Sequence, residues 1–134
     1  MIYLFCSYFM TGVIWLIQLI HYPSFQFVDA AHFNQFHRRH SSVMGFLVGP
    51  IMIVELLTAL WMASRFEIQW VIQALLVIML WGFTFLISVP IHQALEKSKN
   101  EVLILKLVRT NWLRTFVWTF KAGLLFYLVK IGCH

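Results

Sequence analysis

The sequence predicts an all-α integral membrane protein, a bundle of four transmembrane helices in a single domain over residues 1–134. Two observations lead to this prediction. Apolar residues make up 61% of the chain and charged residues 11%, whereas soluble domains have about 45–50% and about 25%. The apolar residues also form four stretches close to the roughly 20 residues that a helix needs to cross a bilayer. The predicted spans cover residues 2–20, 43–63, 68–91 and 112–131.

Two long connectors join spans one to two and three to four, over residues 23–40 and 92–111, and a short turn at 64–67 joins spans two and three. Phe25, Val28, His32 and Phe36 lie at helical spacing in the first connector. This spacing predicts an amphipathic helix lying along the membrane interface.

Basic residues are distributed unequally between the two faces that four spans create. Seven lie on the side of the long connectors and two on the opposite side, which predicts cytoplasmic connectors and external termini in the cell membrane. The seven are Arg38, Arg39, Lys97, Lys99, Lys106, Arg109 and Arg114, and the two are Arg65 and Lys130.

The two halves of the chain share a faint pattern. Trp15 precedes Pro23 by eight residues, Trp81 precedes Pro90 by nine, and a histidine lies near each proline. A 2+2 internal repeat would explain the pattern, and so would chance similarity between two apolar helices.

Polar side chains converge at the cytoplasmic mouth of the predicted bundle, although they are far apart in sequence. Neutral imidazoles on neighbouring helices can ligate a metal or haem iron, and arginines can hold anionic groups. The same residues also suit an organic substrate or a quinone, or ordinary interfacial side chains that reach to lipid headgroups. The candidate catalytic residues are His21, His37, His40, His92, Asn111 and Arg114, and the candidate metal ligands are His21, His40 and His92.

A second polar feature lies inside the membrane. Glu55 in span two and Lys121 in span four are at similar depths by helical rise, which allows an ion pair. A lone buried carboxylate costs a few kcal/mol, so such a pair either only neutralises itself or forms a proton-handling or substrate-polarising site. Gly45 and Gly49 have the small-xxx-small spacing that predicts close helix approach, and no disulfide is expected between Cys6 and Cys133.

Several short motifs resemble those of known membrane proteins. The segments are His21 to Phe25, His37 to His40, Pro50 to Glu55, Val89 to His92, and Asn111 to Thr115 with Trp118. Together they resemble small uncharacterised bacterial four-helix membrane proteins, with a layout similar to the anthrone-oxygenase-like membrane family. His21 to Pro23, Arg38, Arg39 and Pro50 also resemble the first half of HemJ-type protoporphyrinogen oxidase, while the second half of the chain lacks that family's pattern.

The predicted function is a small membrane protein with a His, Arg and Asn site that does redox or oxygenase-like chemistry on a lipophilic substrate. One alternative is a non-enzymatic accessory or assembly subunit of a larger membrane complex, and another is a proton-coupled transporter using Glu55. The expected partners are the lipid bilayer, a lipophilic small molecule, and a second copy or a larger complex. The cofactor is left open between haem and a metal ion, and no motif indicates nucleic-acid binding.

Overall fold

Four helices joined by short loops make up the structure, a computed structural model that describes residues 1–132. No strand occurs in these residues, and the predicted all-α bundle is confirmed. We number the helices in chain order. Their bounds are α1 Ile2–Phe27, α2 Ala30–Ala63, α3 Ile68–Leu95 and α4 Glu101–Gly132.

The helices form a square in which consecutive helices are neighbours. Both α1 and α3 pack against α2 and α4, so α1 lies diagonally opposite α3 and α2 lies opposite α4. Short loops force consecutive helices to run in opposite directions. We call the end with loops 28–29 and 96–100 the connector end, and the end with loop 64–67 the turn end.

The outer surface of the bundle suits a lipid environment. By length and composition, α1, α2 and α3 can each cross a membrane. On α4 the outward side chains Phe116, Phe120 and Phe126 are each more than 60% exposed, whereas Arg114 and Lys121 are buried inside the bundle. α4 therefore presents apolar groups outward and packs between α1 and α3.

At the connector end the prediction of an interfacial segment is wrong. The helices simply continue: α1 runs to Phe27 and α2 begins at Ala30, and both Phe25 and Phe33 are fully buried. The 34 residues of α2 span about 51 Å, well beyond a hydrocarbon core of about 30 Å. The extended ends bury a core of their own, formed by Ile17, Tyr22, Phe25, Phe33, Ile91, Leu95, Ile104 and Leu107.

Polar side chains fix where α2 and α4 begin. The Asp29 carboxylate accepts the backbone N–H of His32 at 3.1 Å, and the side chain of Asn100 accepts that of Leu103 at 3.1 Å. Each satisfies a donor that the first helical turn leaves free. The His32 side chain also contacts Asp29, and this hydrogen bond lowers the pKa of the Asp29 carboxyl. Lys99 donates to the backbone carbonyl of Gln26 at the end of α1 and to that of Val28 in the α1–α2 loop, and so joins the two loops.

Both α1 and α3 contain one π-helical turn, at Ile17–His21 and Thr84–Ser88. Each turn ends two residues before a proline, Pro23 or Pro90. Proline donates no N–H and its ring clashes with the carbonyl four residues earlier, and that residue lies inside the π turn in both helices. The wider turn therefore accommodates both prolines, and it adds a structural likeness to the repeat seen in the sequence.

Candidate functional site

A groove of about 590 Å³ opens between α2 and α3. Its walls are apolar side chains, including Met44, Met52, Trp81 and Phe85. Its floor is provided by α1 and α4, through Ile17, Tyr22 and Arg114. Toward the connector end the walls become polar, with His40, Ser41, Ser88 and His92. The groove thus has the volume and the apolar lining with few polar groups that are typical of small-molecule sites.

Two glycines give the groove its width. Gly45 and Gly49 line it on α2, and a Cβ atom built on either one meets no atom within 4 Å. The prediction that these glycines bring two helices together is therefore wrong. They lie one turn apart on the face of α2 that borders the open space, where any larger side chain would project into the groove.

Four histidines from three helices meet at the polar end of the groove. His21 Nε2 lies 2.6 Å from His40 Nδ1, and His37 Nε2 lies 2.9 Å from His92 Nδ1. The rings of His40 and His92 are 5.8 Å apart between centroids, so the two pairs form one cluster. The structure thus brings together all four histidines that the sequence singled out.

The second pair is extended by a tyrosine. The Tyr22 hydroxyl lies 3.0 Å from His92 Nε2, which makes a row from Tyr22 through His92 to His37. The row ends at His37 Nδ1, which is buried and has no hydrogen-bond partner among the described residues. Phe25 contacts His37 and His40 edge-on, and Phe33 stacks on His37, so the rings are held rigidly by aromatic packing.

This arrangement does not resemble a metal centre. Within residues 1–132, no group of three or more His, Cys, Asp or Glu side chains is placed to hold a metal ion. Two nitrogens bound tetrahedrally to one ion at 2.0–2.1 Å would be about 3.3 Å apart, farther than in either histidine pair. Both ring nitrogens of His92 are directed at neighbours, Tyr22 and His37. The proposal that His21, His40 and His92 ligate a metal or haem therefore gains no support from this geometry.

The two predicted site residues on α4, Asn111 and Arg114, differ in their relation to the groove. Arg114 lines the groove and is 6% exposed. Asn111 is fully buried one turn earlier, where its amide donates to the Gln18 side chain at 2.9 Å and its oxygen accepts from Arg114 Nη1 at 3.3 Å. Asn111 therefore positions Arg114 and does not reach the groove itself.

Tyr22, Gln18 and Ser88 belong to this site but were not among the predicted residues. Tyr22 directly follows His21, a predicted site residue, and this adjacency was the sequence signal that could have identified it. Gln18 and Ser88 lie in the π turns of α1 and α3. π turns are frequent at functional sites. The prolines Pro23 and Pro90, which follow these turns, were therefore a sequence signal for Gln18 and Ser88 that hydropathy does not use.

Glu55 and Lys121 form an ion pair across the diagonal of the bundle, toward the turn end. Ser7 Oγ donates to Glu55 at 2.9 Å and accepts from Lys121 at 2.6 Å, and Trp118 Nε1 donates to Glu55 at 3.4 Å. Gln73 on α3 accepts from the Tyr3 hydroxyl at 2.8 Å and donates to the Lys121 carbonyl at 3.3 Å. All four helices therefore meet in one buried polar network, at the end opposite the histidines.

Of the two cysteines, Cys6 is buried on α1. Cys133 lies outside the described residues, so the prediction that they form no disulfide stays a prediction.

Comparison with known proteins adds no identification. No protein-family model, curated protein or solved structure matches the chain. The resemblance to the anthrone-oxygenase-like family and to HemJ-type enzymes remains a prediction from the short motifs alone.

Proposed function

We propose that the chain is a small membrane enzyme that binds a lipophilic molecule in the groove between α2 and α3 and moves a proton at its polar end. One observation supports this above all: an apolar groove among membrane-spanning helices ends at two imidazoles, His40 and His92, and one guanidinium, Arg114. General acid–base groups at the end of an apolar groove suit proton abstraction from a lipophilic molecule.

His40 is the residue best placed for the proton transfer. Its Nδ1 contacts His21, while its other ring nitrogen, Nε2, makes no hydrogen bond to a described residue and is left for a molecule in the groove. When Nε2 takes a proton from the substrate, the electron pair stays on the substrate and the Nδ1 proton can pass to His21 Nε2. His21 is half-exposed and borders a second, smaller pocket, so it can release the proton to water.

The remaining polar groups hold this arrangement in place. Tyr22 and His37 occupy both nitrogens of His92, which fixes the orientation of that ring at the groove. Phe25 and Phe33 restrain His37 and His40 by packing. Such restraint of the acid–base groups before substrate arrives is what efficient proton transfer requires.

Removal of the His40 imidazole tests the proposed activity. We expect His40→Ala to slow turnover by about 10²-fold or more, the usual contribution of a general base. Untargeted mass spectrometry of lipid extracts should show a lipophilic species that accumulates in cells with His40→Ala compared with the wild type. Purified wild-type protein should then convert this species.

The matched control is His32→Ala. His32 is also on α2 at the connector end, but its side chain is 74% exposed and contacts only Asp29. Cells with this variant should match the wild type. If extracts of the His40→Ala, His32→Ala and wild-type membranes are the same, the protein is not this enzyme. The accessory-subunit interpretation would then be favoured.

We further propose that the connector end faces the cytoplasm, as the excess of basic residues on that side favours. Ser98 and Ser64 lie exposed in loops at opposite ends of the bundle and suit cysteine labelling. In a Cys133→Ser background, an impermeant maleimide added to intact cells should label Ser64→Cys and leave Ser98→Cys unlabelled. The reverse pattern would invert the topology, and labelling of both would contradict four membrane crossings.

A further inference from the structure

Arg114 is a buried cation that has no acidic partner within residues 1–132. Its Nη1 makes two long hydrogen bonds, to Ser88 Oγ at 3.4 Å and Asn111 Oδ1 at 3.3 Å, and its guanidinium lies 5.3 Å from the Trp118 ring centroid. Its Nε is buried and has no hydrogen-bond partner in residues 1–132. The ion pairs recorded in those residues are Asp29 with His32, Lys99 with Glu101, and Glu55 with Lys121.

Lys121, seven residues further along α4, is a second buried cation with which Arg114 can be compared. Lys121 is fully buried and is paired with Glu55 and Ser7. Burial of a charge is expensive unless the charge is paired and hydrogen-bonded. Within residues 1–132, Lys121, which lies away from the groove, is therefore paired with a carboxylate, whereas Arg114, which lines the groove, is not.

The shape of the guanidinium indicates what would complete it. Nε and Nη2 lie along the same edge of the planar group, whereas the hydrogen bonds to Ser88 and Asn111 come from Nη1, and the Tyr22 hydroxyl is a further neighbour of the guanidinium. The Nε–Nη2 edge presents two parallel N–H donors, the fork that matches the two oxygens of a carboxylate. The other polar groups of the groove nearby, such as Tyr22, Ser41 and Ser88, are uncharged hydroxyls.

We propose that the ligand of the groove is a lipophilic monocarboxylate, with its carboxylate on Arg114 and its apolar body between α2 and α3. This inference rests on the proposed function and names its substrate class. A single charge is indicated because Arg114 is the one basic residue other than histidine that lines the groove, and Glu96 lines it too. A dianion would therefore be left partly uncompensated. The apolar body would lie along Met44, Met52 and Trp81.

Photolabelling with a fatty acid tests the proposal without knowledge of the natural ligand. The probe is palmitic acid carrying a mid-chain diazirine, added to the full chain in phosphatidylcholine nanodiscs. We expect saturable labelling of α2 within residues 44–53 and of α3 within residues 81–89. Unlabelled palmitic acid should displace the probe at concentrations at least tenfold lower than methyl palmitate, which has the same apolar chain but no charge.

Variants on α4 assign that preference to Arg114. Arg114→Gln should abolish the tenfold preference for the acid, whereas Arg114→Lys should keep part of it because the charge remains. Arg109→Gln is the matched control, since Arg109 is exposed on the same helix and should not affect displacement. Since no acidic side chain in residues 1–132 pairs with Arg114, Arg114→Gln leaves no carboxylate without its partner. The variant should therefore unfold at or above the wild-type temperature in detergent, and this measurement distinguishes lost binding from lost structure.

Three results would overturn the carboxylate proposal. These are equal displacement by the acid and its ester in the wild type, an unchanged preference in Arg114→Gln, and labelling confined to outward-facing residues. The first two would leave proton transfer at His40 standing. Conversely, normal turnover by His40→Ala would remove the proposed activity and leave the carboxylate preference of the groove as an independent measurement.

Discussion

Glu55→Leu and Lys121→Met should each destabilise the protein strongly, by about 3–5 kcal/mol, because each leaves one buried charge without its partner. Glu55 is 1% and Lys121 0% exposed, so water cannot take the partner's place. The double variant Glu55→Leu with Lys121→Met removes both charges at once. It should therefore be more stable than either single variant, although Ser7 and Trp118 lose hydrogen bonds to Glu55.

A double-mutant cycle on thermal or denaturant unfolding in detergent measures this coupling. The control is Glu67→Gln, which changes an exposed carboxylate at the start of α3 and should have little effect. Effects of the two single changes that add to within about 0.5 kcal/mol would show that the pair contributes no coupling. If the double variant still turns over its substrate, the network is structural. Loss of turnover with preserved folding would instead favour the proton-coupled interpretation of Glu55.

The second large effect concerns the groove itself. Gly45→Leu combined with Gly49→Leu should abolish ligand binding while the protein stays folded. A Cβ at either position meets nothing within 4 Å, and both positions line the groove, so we expect the leucine side chains to extend into the groove and fill it. Replacing a helical glycine also gains up to about 1 kcal/mol of helix propensity per position. The matched control is Gly12→Leu, an exposed position on α1 where an added Cβ likewise meets nothing.

Hydropathy predicted the four helices but not where they end. Runs of about 20 mainly apolar residues indicate helices that can lie in the hydrocarbon core of a bilayer. The spans were therefore recognisable from the length and composition of these runs. Beyond the predicted spans the same helices continue and form a small core around Phe25 and Phe33. The spacing of Phe25, Val28, His32 and Phe36 suggested one interfacial helix, but residues 28–29 form a loop that separates Phe25 on α1 from His32 and Phe36 on α2. Periodicity alone does not locate such a break, because both helices that flank it have the same spacing.

The candidate site was predictable only in outline. His21, His37, His40 and His92 could be placed together because alternating spans bring their ends to one side. Their pairing depends on ring orientation, which the sequence does not encode directly. The role of Gly45 and Gly49 was misjudged because small residues serve equally in a tight helix contact and in the wall of a cavity. Arg114 and Asn111 are three residues apart on α4, and only the structure shows that Arg114 lines the groove and Asn111 does not.

The central claim is that the groove between α2 and α3 holds a lipophilic ligand, and native mass spectrometry of the protein released from its own membrane tests it most directly. The wild type and Gly12→Leu should carry a bound small molecule, and the Gly45→Leu, Gly49→Leu variant should be recovered folded and without it. If all three proteins carry the same bound molecules in the same proportion, the groove is not a binding site and the account is wrong.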